Sequence, residues 1–205
     1  MYLLTFLIGY FLGALPFGVW VARAHGVCIF EVGSGNPGAT NVLRTIGKKA
    51  GYTVFALDAL KSMLAVAIGS HYRTPYLTLL GVLLGHSFSC FAHFKGGKGI
   101  AATAGLILSF HPTFIPVGIV LFFGTFFLTH YVSLGSLLVY IGFVTQLIIS
   151  GQCGLFGNMS QEALIEMYIV GFFLAIMAFW KHRTNIVRLL HGEERKTYLS
   201  KKGRE

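Results

Sequence analysis

The chain has 205 residues, of which 55% are hydrophobic and 11% are charged, and its mean hydropathy is +0.71. This composition excludes an ordinary soluble domain and is typical of a polytopic membrane protein. In a membrane protein, a formal net charge of +9 indicates cytoplasmic loops beside anionic lipid headgroups more often than a nucleic-acid-binding surface.

Apolar runs predict an all-α polytopic protein with about seven transmembrane helices. The first run has no basic region before it and no small-residue cleavage site, so we interpret it as a retained span and not as a signal peptide. The run at 99–110 is shorter than the roughly 20 residues that cross the hydrocarbon core, which predicts a broken or partly re-entrant helix. His111 and Pro112 separate it from the following run. The predicted spans are 3–22, 51–70, 76–93, 99–110, 113–129, 132–150 and 163–180.

The cations predict the orientation of these spans. Seven spans with the N-terminus outside put the C-terminus in the cytoplasm and leave only Arg73 outside and Lys61 within a span. A continuous helix over 99–129 would move the basic C-terminal end to the opposite side, so the positive-inside rule favours seven. No linker divides the chain, and we predict one integral membrane domain over 1–192 and a basic, solvated cytoplasmic tail over 193–205. The predicted cytoplasmic cations are Arg23, Arg44, Lys48, Lys49, Lys95, Lys98 and every cation from Lys181 onward.

A polar, glycine-rich stretch at residues 33–44, called loop A below, follows the first span. Asn36 is a good N-cap and Pro37 suits the first helical position, so a short helix is predicted to begin there and to end near Gly47. The glycine N–H groups and the helix N-terminus would then face an anion. The alternative is a glycine-rich turn that caps a surface helix. A P-loop is excluded, because Ala39 stands where that motif requires lysine.

Two ionisable residues, Asp58 and Lys61, are three residues apart in the second span and share a helix face. Charges inside a membrane are costly and are commonly functional. Two interpretations stay open. The residues form a structural ion pair that joins helices, or Lys61 binds a substrate.

Residues 85–101, called loop B below, combine glycines with lysines. A helix is predicted to end, a glycine–lysine turn follows, and a new helix begins. This arrangement presents backbone N–H groups together with the ammonium groups of Lys95 and Lys98, which favours phosphate binding. Attraction to lipid headgroups is the alternative for both lysines. His86 lies in the preceding span and is either catalytic or a structural histidine whose hydrogen bonds are satisfied.

Residues 181–194, called segment C below, place His182, Asn185 and Arg188 on one helix face. An amphipathic surface anchor is the simplest interpretation, but it does not explain the amide of Asn185. Ser133, at the start of an earlier span, either caps its helix or adds a hydroxyl to the polar face.

The chain has only seven acidic residues and three cysteines. The predicted cytoplasmic face therefore offers no carboxylate cluster for magnesium or for two-carboxylate chemistry. The cysteine spacing predicts neither a disulfide framework nor a zinc site. We predict no metal and no cofactor.

Loop A, loop B and segment C together resemble the three motifs of the PlsY family of bacterial membrane glycerol-3-phosphate acyltransferases, and the span layout fits as well. The resemblance implies transfer of a fatty acyl group from acyl phosphate to the 1-hydroxyl of glycerol 3-phosphate. The products would be 1-acylglycerol 3-phosphate (lysophosphatidic acid) and phosphate, in the first acylation of phospholipid synthesis. It also implies the bacterial cytoplasmic (inner) membrane, a cytoplasmic active site and no obligate protein partner. Ser62 and His130 depart from the family pattern, which usually has glycine and often arginine there.

The resemblance suggests roles for individual residues. Four residues of loop A would bind phosphate or fix the donor, namely Ser34, Gly35, Asn36 and Arg44. Lys98 and two glycines of loop B would hold the second phosphate, and Asn185 with His182 would orient glycerol 3-phosphate. The base could be His86, Ser34 acting through a relay, or a phosphate oxygen of the substrate. We favour the substrate oxygen because the sequence shows no histidine with an orienting carboxylate. The catalytic candidates are Ser34, His86 and Asn185, and the substrate- or phosphate-binding candidates are Gly35, Asn36, Asn41, Arg44, Lys61, Gly96, Gly97, Lys98, Ser133 and His182.

Two rival classes remain at this point. A transporter of an anionic metabolite could use the same loops, but it should show symmetric halves or polar residues on the outer side of several spans. A membrane phosphotransferase would need aspartates that bind magnesium, and the sequence contains only Asp58. The His-x-x-x-x-Asp pair of CoA-linked glycerolipid acyltransferases is absent from the sequence.

Overall fold

Helices account for the regular secondary structure of residues 2–157 and 159–198, the part of the chain described by a computed structural model. No strand occurs among these residues, and the prediction of an all-α protein is confirmed. The chain divides into two compact units, Met1–Pro112 and Thr113–Glu205. The single domain over 1–192 stays a prediction.

The first unit contains six α-helices and a short 3₁₀ helix, Cys90–Ala92. The first predicted span is interrupted after Ala14, because Pro16 has no N–H group to donate and its ring clashes with a helical carbonyl. Its second half resumes as a separate helix of eight residues. The α-helices are α1 (Tyr2–Ala14), α2 (Phe17–Ala24), α3 (Ala39–Thr45), α4 (Lys48–His71), α5 (Pro75–Ser87) and α6 (Ile100–Phe110).

Helices α1 and α5 approach each other backbone to backbone. Each carries a Gly-x-x-x-Gly pattern, at residues 9–13 and 81–85. A Cβ atom built on Gly13 would overlap the carbonyl oxygen of Val82, and one on Gly85 would overlap that of Tyr10. Small residues at such spacing let membrane helices pack closely through van der Waals contact. This crossing holds α5, which carries His86 in its last turn, against the N-terminal helix.

We expect the substitution Gly13→Ala to lower the thermal unfolding temperature (Tm) of the purified protein in detergent. The added methyl group must push the two helices apart, and overpacking of this kind typically costs about 1–3 kcal/mol. Gly124→Ala is the matched control, because a Cβ atom there would meet no other atom within 4 Å. An equal Tm for both variants would show that the backbones of α1 and α5 do not meet this closely.

The described residues of the second unit form four helices, α7 (Phe114–Thr129), α8 (Val132–Gln152), α9 (Gln161–Lys181) and α10 (Arg183–Leu190). His130 ends α7 in the left-handed conformation, with a φ of 60°. Ser160 caps α9, because its hydroxyl accepts a hydrogen bond from the N–H of Ala163 at 3.3 Å. The ring of Phe114 lies against that of Phe143, with 5.4 Å between centroids.

Within residues 2–157 and 159–198, five helical segments are long and apolar enough to cross a membrane, and two further apolar helices are shorter. The short ones are α6, with 11 residues, and α7, with 16 residues. The predicted break between them is confirmed, since the residues from 111 to 113 are not helical. Seven spans and an outer N-terminus stay predictions. The five long segments are Tyr2–Ala24, Lys48–His71, Pro75–Ala92, Val132–Gln152 and Gln161–Lys181.

Candidate functional site

Asn41 fixes the backbone of loop A. Its side chain is buried on α3, where Oδ1 accepts a hydrogen bond from the N–H of Ser34 at 2.8 Å and Nδ2 donates to the carbonyl of Val32 at 3.1 Å. The amide of Asn41 therefore binds the loop itself, and it leaves the side chain of Ser34 at the exposed end of the turn. Asn41 is thus a positioning residue for Ser34 in this geometry, and direct substrate binding by Asn41 stays a prediction.

The predicted start of the loop A helix is wrong by two residues. The helix α3 begins at Ala39 with Gly38 as its N-cap. The Asn36 side chain accepts from the N–H of Gly38 at 2.9 Å and closes a turn before the helix. Such local side-chain hydrogen bonds compete with helix capping. The end of the helix is confirmed, because α3 stops at Thr45, two residues before Gly47.

Three backbone N–H groups of loop A bind acceptors within the loop. Those of Ser34 and Gly38 bind side-chain oxygens, and that of Gly35 donates to the carbonyl of Val32 at 3.0 Å. These three N–H groups are satisfied within the loop, and anion binding by the rest of loop A and by the start of α3 stays a prediction. The hydroxyl of Ser34 and the guanidinium of Arg44, which is half-buried in the last turn of α3, are further groups in loop A suited to a phosphate.

The predicted pairing of Asp58 with Lys61 is confirmed. The Lys61 Nζ atom lies 2.7 Å from Asp58 Oδ1, and both side chains are 3% exposed. The same ammonium group donates to the carbonyl of Leu15 at 2.9 Å and lies 5.5 Å from the ring centroid of Phe17. Lys61 thereby joins α4 to the break that Pro16 makes in the first span. This geometry matches the structural ion pair, and a substrate role for Lys61 stays a prediction.

His86 has a carboxylate partner that sequence reasoning missed. Its Nδ1 atom lies 3.5 Å from Oδ1 of Asp58, and the residue is 8% exposed. The expectation that no histidine faces a carboxylate is therefore wrong. Asp58 belongs to α4 and His86 to α5, so no short motif contains the pair. The sequence feature that could have predicted this contact is that two consecutive spans each carry an ionisable residue.

Loop B has the predicted order of helix, turn and helix. The helix α5 ends at Ser87 and α6 begins at Ile100. The N–H of Gly97 donates to the carbonyl of His86 at 3.1 Å, so the glycine turn folds back onto the end of α5. His93 and Phe94 adopt left-handed conformations, with φ of 50° and 59°, which are uncommon for non-glycine residues and concentrate at functional sites.

Loops A and B line one small cavity in the first unit. Its walls include Pro37 from loop A, Gly96 and Gly97 from loop B, and both Asp58 and Lys61. The cavity measures about 10 Å³, which is room for roughly one water molecule. A Cβ atom on Gly18 would overlap the carbonyl of Pro37, so α2 also packs directly on loop A. The two predicted phosphate-binding loops are therefore neighbours.

A second polar cluster lies in the second unit around Glu194. Ser133 Oγ and Asn185 Nδ2 both donate to Glu194 Oε1, at 2.9 Å and 2.8 Å. All three residues are buried, and Glu194 Oε2 has no hydrogen-bond partner among the described residues. Because the Ser133 hydroxyl binds Glu194, it does not cap α8, whose start has no side-chain cap.

The prediction of a solvated tail after Gly192 is wrong for Glu194 and Thr197. Both residues are buried, and the N–H of Thr197 donates to the carbonyl of His130 at 2.9 Å. Sequence reasoning missed Glu194 because a pair of acidic residues followed by Arg195 and Lys196 resembles a solvated surface. The tail from residue 199 onward lies outside the described residues.

His182 is buried where α9 meets α10. Its Nδ1 atom lies 2.8 Å from the carbonyl of Ala178, which places a hydrogen on Nδ1 because a carbonyl oxygen can only accept. The predicted site residues thus divide between the units. The first unit contains Ser34, Gly35, Asn36, Asn41, Arg44, Lys61, His86, Gly96, Gly97 and Lys98, and the second contains Ser133, His182 and Asn185.

These features define an all-helical integral membrane protein whose glycine–lysine turn and buried polar residues suit anionic ligands. The sequence profile of the family "Glycerol-3-phosphate acyltransferase" matches residues 3–192. The chain therefore belongs to the glycerol-3-phosphate acyltransferase family, which includes PlsY.

Relatives and solved structures agree with this assignment. A glycerol-3-phosphate acyltransferase of Bacillus cereus is 38% identical over 203 residues, covering 97% of this chain and 96% of the relative. One from Deinococcus radiodurans is 38% identical over 95% and 94% of the two chains. The crystal structure of PlsY in its glycerol 3-phosphate form has a TM-score of 0.87 at 32% identity, covering 96% of both chains. Its lysophosphatidic acid form has a TM-score of 0.82 at 31% identity, covering 96% of this chain and 95% of the other.

Proposed function

We propose that this protein transfers a fatty acyl group from acyl phosphate to the 1-hydroxyl of glycerol 3-phosphate. The observation that carries the proposal is that loops A and B line the same cavity in a chain of this family. The relatives are named for glycerol 3-phosphate, and both proposed substrates carry a phosphate. Two adjacent loops with cations suit two phosphates held side by side.

The reaction needs alignment more than a strong protein nucleophile. Acyl phosphate is a mixed anhydride, so its phosphate is already a good leaving group. The 1-hydroxyl oxygen attacks the acyl carbonyl carbon, the carbon–oxygen bond to phosphate breaks, and inorganic phosphate leaves with the bonding electrons. Holding the reacting atoms in attack geometry can supply several kcal/mol of the barrier, and donors aimed at the developing oxyanion can supply more.

Loop A is assigned to the donor phosphate and loop B to the acceptor phosphate. Ser34 and Arg44 offer a hydroxyl and a cation from loop A. In loop B, Lys98 directly precedes Gly99, the N-cap of α6, where the positive end of the helix dipole adds to its charge. Asn185 and His182 are assigned to orientation of the glycerol moiety.

A phosphate oxygen of the substrate is the proposed base for the 1-hydroxyl proton. His86 is the rival, but both of its ring nitrogens face protein groups. Its Nδ1 faces Asp58, and its Nε2 lies against Gly97, where a Cβ atom would overlap it. A base must come within about 3 Å of the proton it accepts. The buried ring of His86 is poorly placed for that, whereas the substrate phosphate travels with the hydroxyl.

The proposed location is the cytoplasmic side of the bacterial inner membrane. The cations of loops A and B and segment C would then all lie on the side favoured by the positive-inside rule. A donor with an acyl tail can reach the site from the lipid, and a water-soluble acceptor can reach it from the cytoplasm. Membrane lipid is the expected surrounding, and the proposal requires no nucleic acid and no obligate protein partner.

A donor comparison tests the proposal. Purified protein is incubated with labelled glycerol 3-phosphate and, separately, with acyl phosphate, acyl-CoA or acyl carrier protein. The expected result is labelled 1-acylglycerol 3-phosphate with acyl phosphate alone, and one phosphate released for each acyl group transferred. Product from acyl-CoA or acyl carrier protein instead would overturn the donor assignment. No product from any donor, together with saturable uptake of the label into proteoliposomes, would favour the transporter.

A further inference from the structure

The carboxylate of Asp58 faces two basic side chains, those of Lys61 and His86. The three residues Asp58, Lys61 and His86 are called the Asp58 cluster below, and each is less than a tenth exposed. We propose that Asp58 is a positioning residue that orients the acceptor phosphate site through His86 and the Gly96–Gly97 turn. This inference rests on the proposed function, because it deepens the assignment of loop B to the phosphate of glycerol 3-phosphate.

The carboxylate of Asp58 contacts the ring of His86. The Oδ1 atom of Asp58 lies 3.5 Å from His86 Nδ1 and 2.7 Å from Lys61 Nζ. Lys61 supplies the charge that offsets the buried carboxylate, since an unpaired buried charge is strongly destabilising. The carboxylate is thereby held in place with one oxygen facing the imidazole. This contact sets the orientation of the ring.

His86 in turn contacts the Gly96–Gly97 turn. The His86 carbonyl accepts the N–H of Gly97 at 3.1 Å. A Cβ atom on Gly96 would overlap that carbonyl oxygen, and one on Gly97 would overlap Nε2 of the ring. There is no room for a methyl group between His86 and either glycine. A change in the ring's orientation therefore displaces the turn that leads into Lys98.

The Asp58 cluster is connected to the proposed phosphate site. Asp58, Lys61 and His86 line the same small cavity as Gly96 and Gly97. Displacement of the turn moves the ammonium group of Lys98 relative to the start of α6. Lys98 then binds the phosphate of glycerol 3-phosphate more weakly, which raises the KM for this substrate. It leaves the KM for the donor unchanged, because the donor is assigned to loop A.

A double-mutant cycle tests the inference, with Asp58→Asn, His86→Gln and the double variant. The expected result is a KM for glycerol 3-phosphate about tenfold higher in each single variant, with kcat and the donor KM within threefold of wild type. Because the residues act in one chain of contacts, the double variant should be no worse than the worse single variant. Tm is measured for each variant. A merely structural Asp58 would lower Tm without moving the KM.

Two further variants are measured in the same way. Asp58→Glu retains the charge that pairs with Lys61 but moves the carboxylate by one methylene, so it should raise the KM even if Asp58→Asn does not fold. Ser62→Ala is the matched control, because Ser62 is buried on α4 and its hydroxyl donates to the backbone carbonyl of Asp58, at 3.3 Å, and not to the Asp58 carboxylate. It should leave the KM unchanged.

Binding of labelled glycerol 3-phosphate is measured alongside, since it needs no turnover. Wild-type KM and Kd in a folded Asp58→Glu or Asp58→Asn variant would overturn the positioning role and leave the proposed function intact. Additive KM effects in the double variant would also overturn it. A wild-type protein that neither binds nor acylates glycerol 3-phosphate would show that the proposed function itself has failed.

Discussion

Replacing Lys98 with alanine is expected to lower the rate of acyl transfer at least a hundredfold while the protein stays folded in the membrane. A hundredfold loss corresponds to about 2.7 kcal/mol, which is within the roughly 1.5–3 kcal/mol typical of a hydrogen bond to a charged group. Lys98 is half-buried beside the N-cap of α6, so its charge is screened by water less than that of an exposed lysine. Initial rates with acyl phosphate and glycerol 3-phosphate measure the effect.

The matched control is Lys49→Ala, which removes an exposed cation from the start of α4. Both lysines are predicted to lie on the cytoplasmic side. If attraction to lipid headgroups were the role of Lys98, the two variants should behave alike, with rates within about twofold of wild type. Arg44→Ala should lose activity to the same extent as Lys98→Ala. Near-normal turnover in either variant would remove that residue from the proposed site.

The sequence predicted features that depend on neighbouring residues along the chain. The break at His111–Pro112, the end of α3 before Gly47 and the turn of loop B all follow from local signals, such as proline, glycine and the length of apolar runs. The pairing of Asp58 with Lys61 could also be predicted, because helical periodicity alone places them on one face.

Contacts between distant parts of the chain could not be predicted in the same way. The approach of His86 to Asp58 depends on how α4 and α5 pack, and no periodic pattern gives that distance. The start of α3 was missed for a different reason. Asn36 had two competing partners, and whether it caps the helix or closes a turn before it depends on the path of loop A.

Glu194 shows how misleading composition can be near a chain end. It is the last residue of segment C and borders the basic tail, which predicts a solvated surface, yet it is buried and binds Ser133 and Asn185. The sequence singles out both of those residues as candidates for the site. Their common acceptor became visible only in the fold.

We expect Glu194→Ala to lower the stability of the protein strongly. The substitution leaves the buried donors of Ser133 and Asn185 without their shared acceptor and opens a cavity beside them. Unsatisfied buried polar groups cost about 1–3 kcal/mol each. Tm in detergent should therefore fall by roughly 5 °C or more, and less folded protein should be recovered from the membrane.

Glu193→Ala is the matched control, because the neighbouring carboxylate is exposed and its removal changes the net charge by the same amount. Its Tm should stay within about 1 °C of wild type, since surface substitutions usually change stability by less than 0.5 kcal/mol. Glu194→Gln keeps one carbonyl acceptor for the two donors, so its Tm should lie between those of Glu194→Ala and Glu193→Ala. If Glu194→Ala and Glu193→Ala unfold at the same temperature, Glu194 does not hold Ser133 and Asn185 together. The orientation of glycerol 3-phosphate by Asn185 would then need another support.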